Sequence, residues 1–158
     1  MELDRTDLRI LQLLQNDARL LNKQLSAEVG LAPSSCHERV KRLWANGVLT
    51  ESRTLVDAEK LGYPISIVVM AKISKQGQVN IDSLMETLIA QPEIQQVHLV
   101  TGRYDLIIYM IARSMDHLKE IARTAFSDSD EISSYEASIA YDARWDLSVP
   151  TMETDESE

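Results

Sequence analysis

Between Leu8 and Leu43 the apolar residues of this chain recur three to four apart, whereas from Ile65 to Ile73 they recur at every second position. A helical period cannot be laid on a strand, nor a strand period on a helix, so the architecture must change between these stretches. The break falls near Gly62, just ahead of Pro64. Charge changes at the same place. Residues 1–63 hold nine basic and nine acidic side chains of the totals of 16 and 25, leaving seven and sixteen for the remainder, so the entire net charge of −9 lies there. A chain of 158 residues can hold two small domains. We expect one over 1–63, a second over 64–147, and a tail over 148–158. An acidic protein is a poor general ligand for nucleic acid, because phosphate contacts need clustered Lys and Arg. Any DNA site must be local.

Asp4 is placed to cap a helix in which Leu8, Leu11 and Leu14 form one stripe, widened by Ile10 and Leu13. Asn22 offers a second N-cap, Leu25 and Val29 stand four apart, and Gly30 suits a helix stop because it tolerates positive φ. Pro33 then opens a third helix, where its missing N–H is not needed. In that helix Cys36, Val40 and Leu43 share a buried face, leaving Ser34, Ser35, His37, Glu38, Arg39, Lys41 and Arg42 on the others. The pair of helices over 22–43 has the plan of a DNA-reading helix-turn-helix: a short turn with glycine, hydroxyls at the start of the second helix, cations further on. Arg39, Lys41 and Arg42 stand against Glu38 alone. Lys41 and Arg42 suit phosphates, while Arg39, Ser35 and His37 suit base edges. An ordinary three-helix bundle with a solvated charged face satisfies the same pattern. Val48 to Val56 is strand-like, giving a linker strand over about 48–57.

Beyond Pro64 strands and helices alternate. Ile65, Ile67, Val69, Ala71 and Ile73 share one strand face, and Val68 and Met70 make the other partly apolar, so both faces need cover. Asn80 caps a helix carrying Ile81, Leu84, Met85 and Leu88. Ile94 to Val100 and Leu106 to Ala112 read as a hairpin, Ser114 caps a second helix with Leu118, Ile121, Ala122 and Ala125, and Ile132 to Ala143 is the last strand. The order βαββαβ is ferredoxin-like. Two helices on one face leave the other bare, so a second copy is expected to cover it.

Enzymatic chemistry finds no footing: there is no Ser/His/Asp set, no phosphate-cradling glycine loop and no metal spacing, and no cofactor is implied. Cys36 sits on the apolar stripe as a small core residue rather than a nucleophile. It cannot form an internal disulfide alone, and His37, His98 and His117 are scattered. No secretory leader or membrane span is expected, and we read the chain as cytoplasmic. Met152 to Glu158 carries four acidic residues and little to bury, which predicts disorder.

Together the opening Leu3-Asp4, Asp7, Ile10-Leu11 and Leu14, Val29-Gly30-Leu31, Cys36, Arg39-Val40, Arg42-Leu43, Gly47-Val48, Leu61-Gly62 and the later string VTGRYDLIIYMIA resemble the leucine-responsive and asparagine-responsive regulator family, Lrp/AsnC. The resemblance covers about residues 2–147. It implies an α+β protein: an N-terminal winged helix-turn-helix on double-stranded DNA, then a ferredoxin-like domain that dimerises and senses a small effector, an amino acid in the family's usual manner. It further implies dimers that assemble to octamers. By this likeness the connection between the second and third strands lines the effector site, marking Val100, Thr101, Gly102, Arg103, Tyr104 and Asp105, with Leu99 behind them and Ser138, Ile139 and Ala140 nearby. Glycine lets backbone N–H groups approach a carboxylate, and Asp105 can accept from an ammonium group. The competing reading is that Gly102 makes the turn and Asp105 caps it. Two residues depart from the family pattern. Ala32 stands where serine is usual, losing about 1 kcal/mol of capping. Trp44 replaces a charged residue, and either packs on the first helix or lies near the DNA backbone. A ligand-independent DNA compactor of the same fold is the alternative function.

Overall fold

The computed structural model describes residues 1–75, 78–144 and 146–151. They divide into two compact units, Met1–Thr54 together with the residues after Arg144, and Leu55–Arg144. The expected disordered stretch 152–158 lies outside the described residues.

In the first unit α1 (Arg5–Asn16) begins as its sequence predicts. The Asp4 carboxylate accepts the Asp7 N–H at 2.8 Å, and the Asp7 carboxylate accepts the Asp4 N–H at 3.3 Å. This reciprocal pair satisfies donors that a helix start leaves open. The start of α2 (Asn22–Glu28) differs from expectation. Leu21 is the N-cap, its N–H donated to the Gln24 side chain at 3.0 Å, while Asn22 donates its amide to the Pro33 carbonyl at 2.8 Å. Asn22 thus ties two helix starts together instead of capping its own. Gly30 turns the chain at φ +67°, where a Cβ would be strained, and Pro33 opens α3 (Pro33–Ala45). Ile10, Leu11, Leu25, Cys36 and Leu43 form the core, with Val40 and Leu49 packed against it.

Two further departures concern the ends of this unit. No strand forms over 48–57, and Leu55 and Val56 stand 81% and 65% exposed. A strand needs a hydrogen-bonded neighbour, and among the described residues this stretch pairs with none. Val149, read from sequence as tail, is instead held by Gln15. Its N–H donates to Gln15 Oε1 at 2.5 Å, and Gln15 Nε2 donates to its carbonyl at 3.1 Å.

The second unit is a four-stranded antiparallel sheet of β1 (Ile65–Ile73), β2 (Ile94–Leu99), β3 (Leu106–Ala112) and β4 (Ile132–Ala140), in the order β2-β3-β1-β4. Helices α4 (Ile81–Ile89) and α5 (Met115–Ala122) complete the βαββαβ arrangement. Asn80 and Ser114 cap them through their side chains, as their sequence positions predict. The helical path continues past α5 as a wider π-type turn over Arg123–Ser127, where the Thr124 hydroxyl donates back to the Glu120 and Ile121 carbonyls at 3.1 Å. The core is sheet against helix: Ile67, Val69, Ala71, Leu106, Ile108 and Met110 meet Leu84, Leu88, Leu118, Ile121 and Phe126. On the opposite sheet face Val68 and Met70 of β1 and Ile107, Tyr109 and Ile111 of β3 are only partly covered.

Phe126 is buried and lies with its ring 5.2 Å from that of Tyr135. Phe126→Ala should remove this packing and leave a cavity, lowering the stability of the sheet unit by about 3–5 kcal/mol in a urea melt.

Candidate functional site

Helix α3 presents Ser34, Ser35, His37, Glu38 and Lys41 to solvent. Its two arginines behave otherwise. Asp7 of α1 is 0% exposed, and its two carboxylate oxygens accept from Arg39 Nη1 at 2.9 Å and Arg42 Nη2 at 2.7 Å. Arg39 Nη1 also reaches Asp4 at 2.5 Å. A buried carboxylate persists only when paired and hydrogen-bonded, and here two guanidiniums do both. Arg39, assigned to base edges from sequence, is therefore turned into α1, with Arg42 beside it still 47% exposed. The Arg39 guanidinium holds the Asp4 carboxyl below its usual range, and Asp4 in turn raises Arg39. With the folded value depressed, the contribution of Asp4 is present above its ordinary pKa of about 3.9 and is lost as pH falls through the folded value. Trp44 is 43% exposed. Cys36 lies in the core, where burial pushes its thiol up and away from the nucleophilic form.

The predicted effector loop hangs from the end of β1. Asp105 donates its N–H to the Ala71 carbonyl at 2.9 Å, its carbonyl accepts from the Val100 N–H at 2.8 Å, and its Oδ2 accepts from the Ile73 N–H at 2.9 Å. One carboxylate oxygen thus caps backbone, and the other is left for a further partner. Gly102 sits at φ +123°, which requires glycine, with Thr101 and Arg103 exposed beside it. The Arg103 guanidinium lies 5.4 Å from the centre of the Tyr104 ring. The Glu136 carboxylate beside the Tyr104 hydroxyl favours the neutral phenol and raises its pKa. Leu99 is half exposed at the end of β2, and Val100 is partly covered.

Ser138, Ile139 and Ala140 follow Glu136, the neighbour of Tyr104, along β4 and run away from this loop within one protomer. They pair with Val68, Ile67 and Ser66, whereas the loop is anchored at Ala71 and Ile73. Five residues of antiparallel strand, about 17 Å, separate Ser66 from Ala71, and three, about 10 Å, separate Val68 from it. What the loop does meet is a cleft of about 430 Å³ lined by Lys72, Ile73, Ser74, Lys75, Asp105 and Ser133. Beside it the β1–β4 register shifts between Lys72 and Ile73. Sequence reasoning passed over Lys72, Ser74, Lys75 and Ser133. The available signal was the pair of lysines closing an apolar strand in an otherwise acidic domain.

Residues 3–50 match the family model described as winged helix-turn-helix DNA-binding, and residues 66–147 match the Lrp/AsnC ligand binding domain. The chain belongs to the Lrp/AsnC family. It is 31% identical over 137 residues to the transcriptional regulator AzlB of Bacillus subtilis, spanning 87% of each chain. It is 33% identical over 122 residues to the leucine-responsive regulatory protein of Haemophilus influenzae, spanning 77% of this chain and 74% of that one. The structure of E. coli AsnC superposes with a TM-score of 0.82 at 25% identity, covering 94% of this chain and 99% of the other. As an Lrp/AsnC protein the chain is a DNA-binding transcriptional regulator with a ligand-binding domain, not an enzyme. No described helix is long and apolar enough to cross a membrane.

Asp7→Asn keeps the size of the side chain and removes the charge facing both guanidiniums. The helical unit should lose about 3 kcal/mol in urea unfolding, the lower end for a buried ion pair deprived of one partner, because Arg39 and Arg42 keep access to water.

Proposed function

We propose that this Lrp/AsnC regulator reads double-stranded DNA as a homodimer through the exposed face of α3, and that an amino acid bound beside Gly102–Asp105 alters that binding. The observation that carries the DNA reading is the free face of the helix. Among the described residues, Ser34, Ser35, His37, Glu38 and Lys41 are exposed and make no side-chain hydrogen bond. Ser34, Ser35 and His37 are suited to base edges or phosphates, Glu38 to a cytosine amino group, and Lys41 to a phosphate. Arg42, half exposed, adds positive charge near the backbone, while Arg39 acts by fixing α3 on α1.

For the effector, support comes from the loop geometry and from the Haemophilus relative, whose name declares a response to leucine. Leu99 to Asp105 contribute from one protomer. Ser138, Ile139 and Ala140 contribute from another copy. The apolar sheet face of Val68, Met70, Ile107 and Ile111 favours a two-fold dimer, and dimers joined through the Gly102 loop give an octamer. Ligand and assembly then share one free energy. Such a regulator works in the cytoplasm, where the chromosome lies.

On the DNA side, Lys41→Ala should weaken binding to every sequence and reduce the slope of log affinity against log salt by about 1, the loss of one phosphate contact. An unchanged slope in a gel-shift series would remove Lys41 from the interface. On the sensor side, each of the twenty amino acids is added during thermal melting and light scattering. We expect one or a few to raise the melting temperature and to move the population between dimer and larger species. A monomer of 17.9 kDa at micromolar concentration would overturn the dimer. DNA binding with no response to any amino acid would favour the compactor.

A further inference from the structure

Seven basic residues follow Pro64, and five of them are engaged within the described residues. Arg113 donates to the Tyr63 hydroxyl, Lys119 pairs with Asp116, Arg123 with Asp128 and Arg144 with Asp142, while Arg103 lies over Tyr104. Lys72 and Lys75 have no ion pair or hydrogen bond from their side chains among the described residues, and both line the cleft at the end of β1. The one carboxylate in that lining is Asp105, with a single oxygen committed to the Ile73 N–H. Ser133 adds a hydroxyl whose proton is directed to the Lys72 and Ile73 carbonyls at 3.2 and 3.4 Å, which leaves its oxygen as an acceptor. Two positive groups and one negative therefore converge on one open volume, in a domain that is strongly acidic elsewhere.

We propose that this cleft is the polar subsite for the effector and that it selects an acidic amino acid, with Asp105 receiving the ammonium group and Lys72 and Lys75 the two carboxylates. The inference rests on the amino-acid-sensing reading above and narrows it to one chemical class. Charge complementarity decides the class. A divalent cation is repelled by two lysines, and a simple anion leaves the free Asp105 oxygen facing negative charge. A neutral amino acid matches Asp105 and one lysine, leaving the second without a partner. A dicarboxylic amino acid, with two negative groups and one positive, is the complement of the lining. The volume of about 430 Å³ lies in the usual range for small-molecule sites, and the flexible lysine stems can adjust to a four- or five-carbon acid. Lys72 and Lys75 are then specificity-determining residues, and Arg103, engaged with Tyr104, is not.

The test is isothermal titration of the full chain with L-glutamate, L-aspartate, L-glutamine, L-asparagine, L-leucine and glutarate. Glutamate or aspartate should bind at least tenfold more tightly than its amide counterpart and than glutarate, which lacks the ammonium group. In Lys75→Gln, or in Lys72→Gln should the first fail to give a native melt, the preference for acid over amide should fall to less than threefold, and Lys75→Arg should restore it. Asp105→Asn, which keeps an acceptor for the Ile73 N–H, should weaken glutamate tenfold and leave glutarate unchanged or tighter. Tighter binding of leucine or of the amides than of the acids overturns this inference and leaves the amino-acid sensor standing. Glutarate binding as well as glutamate overturns the role of Asp105 and with it the proposal. Absence of binding by every amino acid in the panel overturns the acidic subsite, and extension of that result to all twenty overturns the sensor reading as well.

Discussion

The second unit depends on a strand that is paired along both of its edges. β1 takes β3 on one side and β4 on the other, and buries Ile67, Val69 and Ala71 against the helices. Such a strand has no freedom to slip, because a shift by one residue would carry its buried set to the other face. Its end is where the constraint stops and chemistry becomes possible. Pairing with β3 ends at Ala71, so the Ile73 N–H is available to a side chain, and Asp105 takes it. The loop that carries Gly102 is therefore fixed to the end of a strand that is held on both sides. Lys72 and Lys75, one at the end of the strand and one just past it, flank the point of attachment.

In the helical unit the corresponding constraint is electrostatic. Asp7 serves the start of its own helix and, through the same carboxylate, the two arginines of α3. Positive charge counted along α3 overstates what faces outward, because Arg39 is spent on α1. Helix α3 is held on α1 by a network that desolvates one carboxylate completely and leaves both arginines in partial contact with water. That arrangement combines directional hydrogen bonds with a lower desolvation penalty than a fully buried pair would carry.

Features decided within a few residues were legible in the sequence, and those decided across the fold were not. Asp4, Asn80 and Ser114 cap because the partner N–H lies three residues on. Asn22 has the same local chemistry, yet the Pro33 carbonyl, distant in sequence, claims it. The stretch 48–57 has strand composition, and composition cannot supply a neighbour. Arg39 looked outward because its spacing excluded it from the apolar stripe, but spacing does not register an acid on another helix. The family likeness named Ser138 to Ala140 as positions in the last strand, and the antiparallel register pairs them with Val68 to Ser66, running from the middle of β1 toward the end away from Asp105. The alternation of βαββαβ survived all of this, because it is carried by period and order rather than by any one contact.

The amide of Gln15 grips the backbone of Val149 as a neighbouring strand would, with one donor and one acceptor. The helical unit thus contains residues synthesised both before and after the whole of Leu55–Arg144. On the ribosome its three helices emerge first and can pack at once, while the segment that seats against α1 is made only after the sheet has been translated. The unit that meets DNA is consequently the first to begin assembling and among the last to be completed.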